Sequence, residues 1–133
     1  MHTKIFIVDK HKELRRALKE LINHEADLRV CGEAENGRAA LNKMLLLKPD
    51  IAIVDLLLED MSGLDLVKKI ARIGDRSPAI LVISMDEESV HSKEALTAGA
   101  KGYLMKSNAA EKVVEAVRTI AKGNTYKSRG GKK

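Results

Sequence analysis

The chain is poor in aromatic residues. Of its 133 residues one is Phe, two are Tyr and none is Trp, which leaves no stacking platform for single-stranded nucleic acid. Its one cysteine, Cys31, excludes an intramolecular disulfide and suits a reducing compartment. No apolar run approaches the roughly 18 residues a membrane helix needs, and no charged-then-apolar leader precedes Ile5. The expectation is a cytoplasmic protein without a membrane contact. The histidines His2, His11, His24 and His91 lack metal-ligand spacing, which argues against a metal enzyme. Glycines are missing after the first apolar run, where Asp9-Lys10-His11-Lys12-Glu13 offers no phosphate-cradling loop. That argues against a nucleotide-binding protein.

What is present fits one globular domain. Hydrophobic residues make up 44% and charged residues 32%, and the length suffices for a real core. The net charge of +5 is largely a property of the C-terminal end. No acid follows Glu115, whereas Arg118, Lys122, Lys127, Arg129, Lys132 and Lys133 do. This reads as a solvated basic tail rather than a nucleic-acid contact. The expected organisation is a domain over residues 1–123 and a basic linker or tail over 124–133.

Apolar runs and amphipathic stretches alternate five times. Lys4–Val8, Leu28–Ala34, Ile51–Asp55, Ala79–Ile83 and Gly102–Met105 have the length and composition of strands. Between and after them, His11–His24, a stretch opened by Asn36-Gly37, one capped by Ser62, Glu87–Ala98 and one capped by Asn108 read as helices. Five β-α units predict an α/β fold, a five-stranded parallel sheet with helices on both faces. The most uniformly apolar strands, the first, third and fourth, belong at its centre. Strand order 2-1-3-4-5 puts them there and opens a crevice between strands one and three, making Asp9 and Asp55 neighbours.

The strand ends carry the chemistry. The runs finish on Asp9, Asp55, Ser84 and Lys106. A buried strand does not end on an unpaired charge for stability, because that is expensive. Two carboxylates, a hydroxyl and a lysine at one edge of a sheet suit phosphoryl transfer. Asp55 ends the central strand and is the nucleophile candidate; Lys106 and Ser84 would hold phosphoryl oxygens. A phosphatase built on an aspartyl phosphate would want a general acid two residues on, where Leu57 cannot serve.

These stretches resemble the receiver domain of two-component response regulators over residues 3 to about 123. The resemblance rests on Ile-Val-Asp ending the first strand, Asp-Ile-Ala-Ile-Val-Asp at the third, and Met-Ser-Gly-Leu-Asp-Leu after it. Ile-Ser-Met at the fourth and Ala-Gly-Ala-Lys-Gly-Tyr-Leu-Met-Lys-Ser at the fifth complete it and are most like the NarL-type receivers. The resemblance implies a flavodoxin-like fold and a histidine kinase that phosphorylates Asp55. Ser84 and Lys106 would contact the phosphoryl group, and Tyr103 would be the aromatic switch residue that turns inward when Ser84 moves. It implies Mg²⁺ held by Asp9, Asp55 and the backbone carbonyl of Leu57. It also implies transcriptional output through a DNA-binding domain that these 133 residues do not include, with a homodimer compatible. Such a domain is a phosphoacceptor rather than an enzyme in the ordinary sense.

One position departs from the pattern. Receivers place two adjacent acids after the first strand, and this chain has Asp9-Lys10. Asp9, Asp55, Lys10 and Lys106 sum to zero charge without metal. With the Lys10 ammonium lying in the crevice against Asp55 or Asp9, Mg²⁺ would bind weakly or not at all. Glu59 and Asp60 are candidate replacements for the lost ligand. The rival reading is a pseudo-receiver, a phosphorylation-independent interaction module. Ser62, where the family prefers Pro, only alters how the next helix starts.

Overall fold

The computed structural model describes residues 2–86 and 88–127. Its strands are β1 (Thr3–Val8), β2 (Leu28–Ala34), β3 (Ile51–Asp55), β4 (Ala79–Ser84), β5 (Gly102–Met105) and β6 (Tyr126–Lys127). Its helices are α1 (Lys12–Asn23), α2 (Gly37–Leu47), α3 (Gly63–Ala71), α4 (Glu88–Ala98) and α5 (Lys106–Ala121). The sheet runs β2-β1-β3-β4-β5-β6 with every neighbouring pair parallel. Among the described residues no helix is long and apolar enough to cross a membrane.

The unbroken apolar runs follow from burial on both sides. Successive strand residues point to opposite faces, and here both faces are covered by helices. Ile5, Ile7, Ile51, Ile53, Leu81, Ile83 and Leu104 face α1 and α5, meeting Leu18, Ile22, Val113 and Val117. Phe6, Val8, Ala52, Val54, Ile80, Val82 and Tyr103 face the other way, against Met44 of α2, Leu66 and Ile70 of α3 and Ala95 of α4. All five residues of β3 are buried, Asp55 included. Each large aliphatic side chain removed from water there contributes roughly 1.5–3 kcal/mol.

Local chemistry sets the helix ends. The Asn36 side chain accepts from the Ala39 amide at 2.8 Å to start α2, and Lys48, at φ 51°, stops it. Ser62 caps α3 by accepting from the Asp65 amide at 3.0 Å, so the missing proline costs no cap. Gly99, at φ 124°, ends α4 as expected. Glu87, expected as the first residue of that helix, lies outside the described residues.

Two expectations are corrected. Asn108 does not cap α5, which starts two residues earlier with Met105 at the cap and no side-chain cap bond. Strand β5 runs directly into the helix, leaving no loop residue to serve. The sheet has six strands rather than five, because Tyr126–Lys127 pairs with Gly102–Tyr103. The Tyr126 amide donates to the Lys101 carbonyl at 2.8 Å, and its side chain is buried at the edge of the core. Part of the segment read as a linker therefore joins the sheet; residues 128–133 lie outside the described residues.

Candidate functional site

The crevice opens at the ends of β1 and β3, which are followed by α1 and α3 on opposite faces of the sheet. Asp9 follows β1, Asp55 ends β3, and both are buried, at 0% and 1% exposure. Register places Val8 beside Val54, which brings the two carboxylates to the same edge. Lys106, the first residue of α5, reaches between them. Its Nζ is 3.0 Å from Asp55 Oδ2 and 3.0 Å from Asp9 Oδ2.

Each carboxylate has a further partner. Asp55 Oδ1 accepts from the Leu57 amide at 3.2 Å, which ties the following loop to the nucleophile candidate. That loop turns back so tightly that a Cβ on Gly63 would lie 2.3 Å from the Asp55 carbonyl oxygen. Only glycine fits there. Asp9 Oδ1 accepts from the His11 amide at 2.7 Å and stands 3.2 Å from His11 Nδ1. The Arg15 guanidinium donates to the Asp9 backbone carbonyl and to Glu33 Oε1, bracing the start of α1 against β2.

One oxygen stays incompletely satisfied. Asp9 Oδ2 is buried and has no hydrogen-bond donor, because the Lys106 ammonium meets it as a charge without hydrogen-bond alignment. Asp9, His11 and Asp55 each present one ligand atom, all within 4.8 Å of one another. A buried, under-satisfied carboxylate oxygen in such a donor set fits a cation. Burial pushes the Asp55 carboxyl above its ordinary range. The Lys106 hydrogen bond pulls it back, and the neighbouring Asp9 charge adds to the upward push. A carboxylate stripped of water in this way is more basic and a better nucleophile.

The other half of the crevice is uncharged at its centre. Ser84 is 3% exposed, and its Oγ accepts from the Asp86 amide at 3.1 Å. Tyr103 is buried on the α4 side of the sheet, with its hydroxyl donating to the Asp86 carbonyl at 3.4 Å. The Tyr103 ring is thus already buried in this arrangement.

Lys10 makes no ion pair with Asp9 or Asp55. It is exposed and forms no salt bridge among the described residues. A second ammonium about 4 Å from that of Lys106 would meet repulsion of about 4 kcal/mol at an effective dielectric of about 20. A long lysine stem escapes that cost by reaching solvent. Two carboxylates and one ammonium remain, a local sum of −1 rather than zero. The Asp60 carboxylate is engaged at the start of α2, where it accepts from the Gly37 and Arg38 amides, each at 2.9 Å. Glu59 lines a surface cleft with Lys10, His11, Glu35 and Asn36.

The residue that sequence reasoning missed is His11. Spacing rules look for several His or Cys at fixed intervals, and His11 has none. Its offset of two from a strand-ending acid was the available signal, because Asp commonly hydrogen-bonds its own chain two residues on.

Comparison with known proteins gives a consistent picture. The pattern defining the response regulator receiver domain matches residues 5–118. The transcriptional regulatory protein YdfI of Bacillus subtilis is 36% identical over 121 residues, 91% of this chain and 56% of that protein. The chemotaxis protein CheY of Thermotoga maritima is 36% identical over 122 residues, 92% of this chain and 100% of that protein. The crystal structure of a LuxR-family two-component response regulator from Aurantimonas sp. SI85-9A1 superposes with a TM-score of 0.87 at 29% identity. It covers 96% of this chain and 90% of that one. The chain thus spans just over half of YdfI and the whole of CheY.

Proposed function

The chain belongs to the response regulator receiver family of two-component signal transduction, and from that premise we propose that Asp55 is its phosphoacceptor. The observation that carries this reading is the buried Asp55 carboxylate at the end of β3, with the Lys106 ammonium 3.0 Å away. Receivers of this family take phosphate from histidine kinases, and a phosphohistidine is the donor proposed here. An Asp55 oxygen attacks phosphorus, the P–N bond breaks, and the histidine nitrogen leaves with the electron pair and takes a proton from solvent. Lys106 neutralises charge on the transferring oxygens, and Ser84 leaves the Asp86 amide to donate to one of them.

Divalent cation held by Asp9, Asp55 and the Leu57 carbonyl would neutralise further phosphoryl charge. Weak Mg²⁺ binding is part of this reading, but its cause changes. Lys10 supplies no carboxylate where the family has one, and the missing ligand weakens the site without an ammonium in the crevice. The domain is read as residues 1–123, with 124–133 a basic extension that contributes β6. Transcriptional output, DNA contact and any homodimer would be properties of a larger regulator of the YdfI kind.

The test is phosphorylation by a small phosphodonor with Mg²⁺, followed by intact mass. The parent gains one phosphate and Asp55→Asn gains none; equal labelling of both overturns the assignment. A second reading, a receiver that works without phosphate, draws on the buried Tyr103. It predicts no mass gain in either protein.

A further inference from the structure

We propose that Asp9, His11 and Asp55 form a mixed carboxylate–imidazole site that selects a borderline transition dication, Zn²⁺ or Co²⁺, over Mg²⁺. It deepens the reading above, with which it shares Asp55, and it brings in a residue which that reading does not use.

Three observations carry it. The first is the donor set. Two carboxylates and one imidazole nitrogen converge within 4.8 Å of one another. Donors about 2.1 Å from one ion stand at most about 4.2 Å apart, so the set closes on an ion by a shift of under about an ångström. The second is Asp9 Oδ2, buried and without a hydrogen-bond donor. The third is that a cation already sits among these groups. Lys106 Nζ is 3.0 Å from each of Asp9 Oδ2 and Asp55 Oδ2, and 3.4 Å from His11 Nδ1. The three groups surround a positive charge, and Lys106 can withdraw it on a flexible stem when a dication enters.

Selectivity follows from ligand type. Mg²⁺ demands oxygen ligands in a near-ideal octahedron and surrenders its waters reluctantly. With Lys10 in place of an acid, the crevice offers it two side-chain carboxylates only. Zn²⁺ and Co²⁺ accept imidazole readily and tolerate fewer ligands. His11 supplies that nitrogen from two residues after Asp9, with its own amide already anchored on Asp9 Oδ1. Its side chain is 56% exposed, so replacing it leaves the core untouched.

The experiment titrates Zn²⁺, Co²⁺ and Mg²⁺ separately into the parent, His11→Gln, and a triple variant carrying His2→Gln, His24→Gln and His91→Gln. Calorimetry gives affinity, and the visible bands of bound Co²⁺ report nitrogen ligation. Circular dichroism checks that each variant unfolds as the parent does. Zn²⁺ and Co²⁺ should bind the parent at least about tenfold more tightly than Mg²⁺, and His11→Gln should lose that margin while the triple variant keeps it. The proposal is overturned by undetectable Co²⁺ binding, by unchanged Co²⁺ affinity in His11→Gln, or by a loss confined to the triple variant. The phosphoacceptor reading fails separately. Absence of phosphate on Asp55 with any cation sinks that reading and leaves the titration to decide this one.

Discussion

The two halves of the crevice are built from different materials. At β1 and β3 the groups are charged and joined by ion pairs. Asp9, Asp55 and Lys106 hold one another, with His11 at the rim. At β4 and β5 the groups are neutral and joined through backbone. Ser84 accepts from the Asp86 amide and Tyr103 donates to the Asp86 carbonyl. Under the proposed function, the charged half would make and break the bond to phosphorus. The neutral half would be the part that moves, because single neutral hydrogen bonds cost little to exchange. Asp86 joins the two side chains of that half, so a displacement of Ser84 reaches Tyr103 through one residue.

Breaking the charged half should have the largest effect. Lys106→Met leaves two buried carboxylates without their shared cation, and a broken buried ion pair costs about 3–5 kcal/mol. Urea unfolding at neutral pH should show a loss of that size. Adding a divalent cation should recover part of it, because the cation takes over the role of the ammonium. A variant as stable as the parent would mean that the ammonium offsets no charge repulsion.

The neutral half should respond less and indifferently to cations. Tyr103→Phe removes one hydroxyl bond and should cost about 0.5–1.5 kcal/mol, with or without added metal. Phosphorylation of Asp55 by a small donor should proceed at the parent rate, since the Tyr103 hydroxyl is held on the Asp86 carbonyl. A large fall in that rate would erase the distinction between the halves.

The smallest effect sharpens the comparison through pH. The folded chain holds the Asp55 proton at higher pH than the unfolded chain does, mainly because of burial. Ionised Asp55 therefore costs the fold stability near neutral pH. That cost falls away as pH drops through the folded value towards the unfolded value of about 3.9. Asp55→Asn should be the more stable protein at neutral pH, with the gap closing on acidification. Chemical unfolding of both across that range measures it, and a gap that widened in acid would reverse the sign of the argument.

Much of this was legible beforehand, for identifiable reasons. Ile51–Asp55, Ala79–Ile83 and Lys4–Val8 read as central strands because burial on two faces demands unbroken apolar runs. Ser62 read as a cap because an oxygen three residues before a free amide can satisfy it, while Asn36, read only as opening its helix, caps it in the same way. Asn108 misled for the same reason, since the rule does not know that a strand leads straight into α5. Tyr126 misled because a two-residue edge strand has no period to detect.

The sequence by itself determined the parallel α/β order and the four strand ends, since both follow from local pattern and chain direction. Tertiary structure alone decided which charges meet. Position along the chain does not say which way a side chain turns. Lys10, next to Asp9, turns to solvent, while Lys106, far along the chain, bridges Asp9 and Asp55. His11 joined the site on the same ground. Its amide is held by Asp9, and that bond, rather than any spacing rule, brings its ring to the carboxylates.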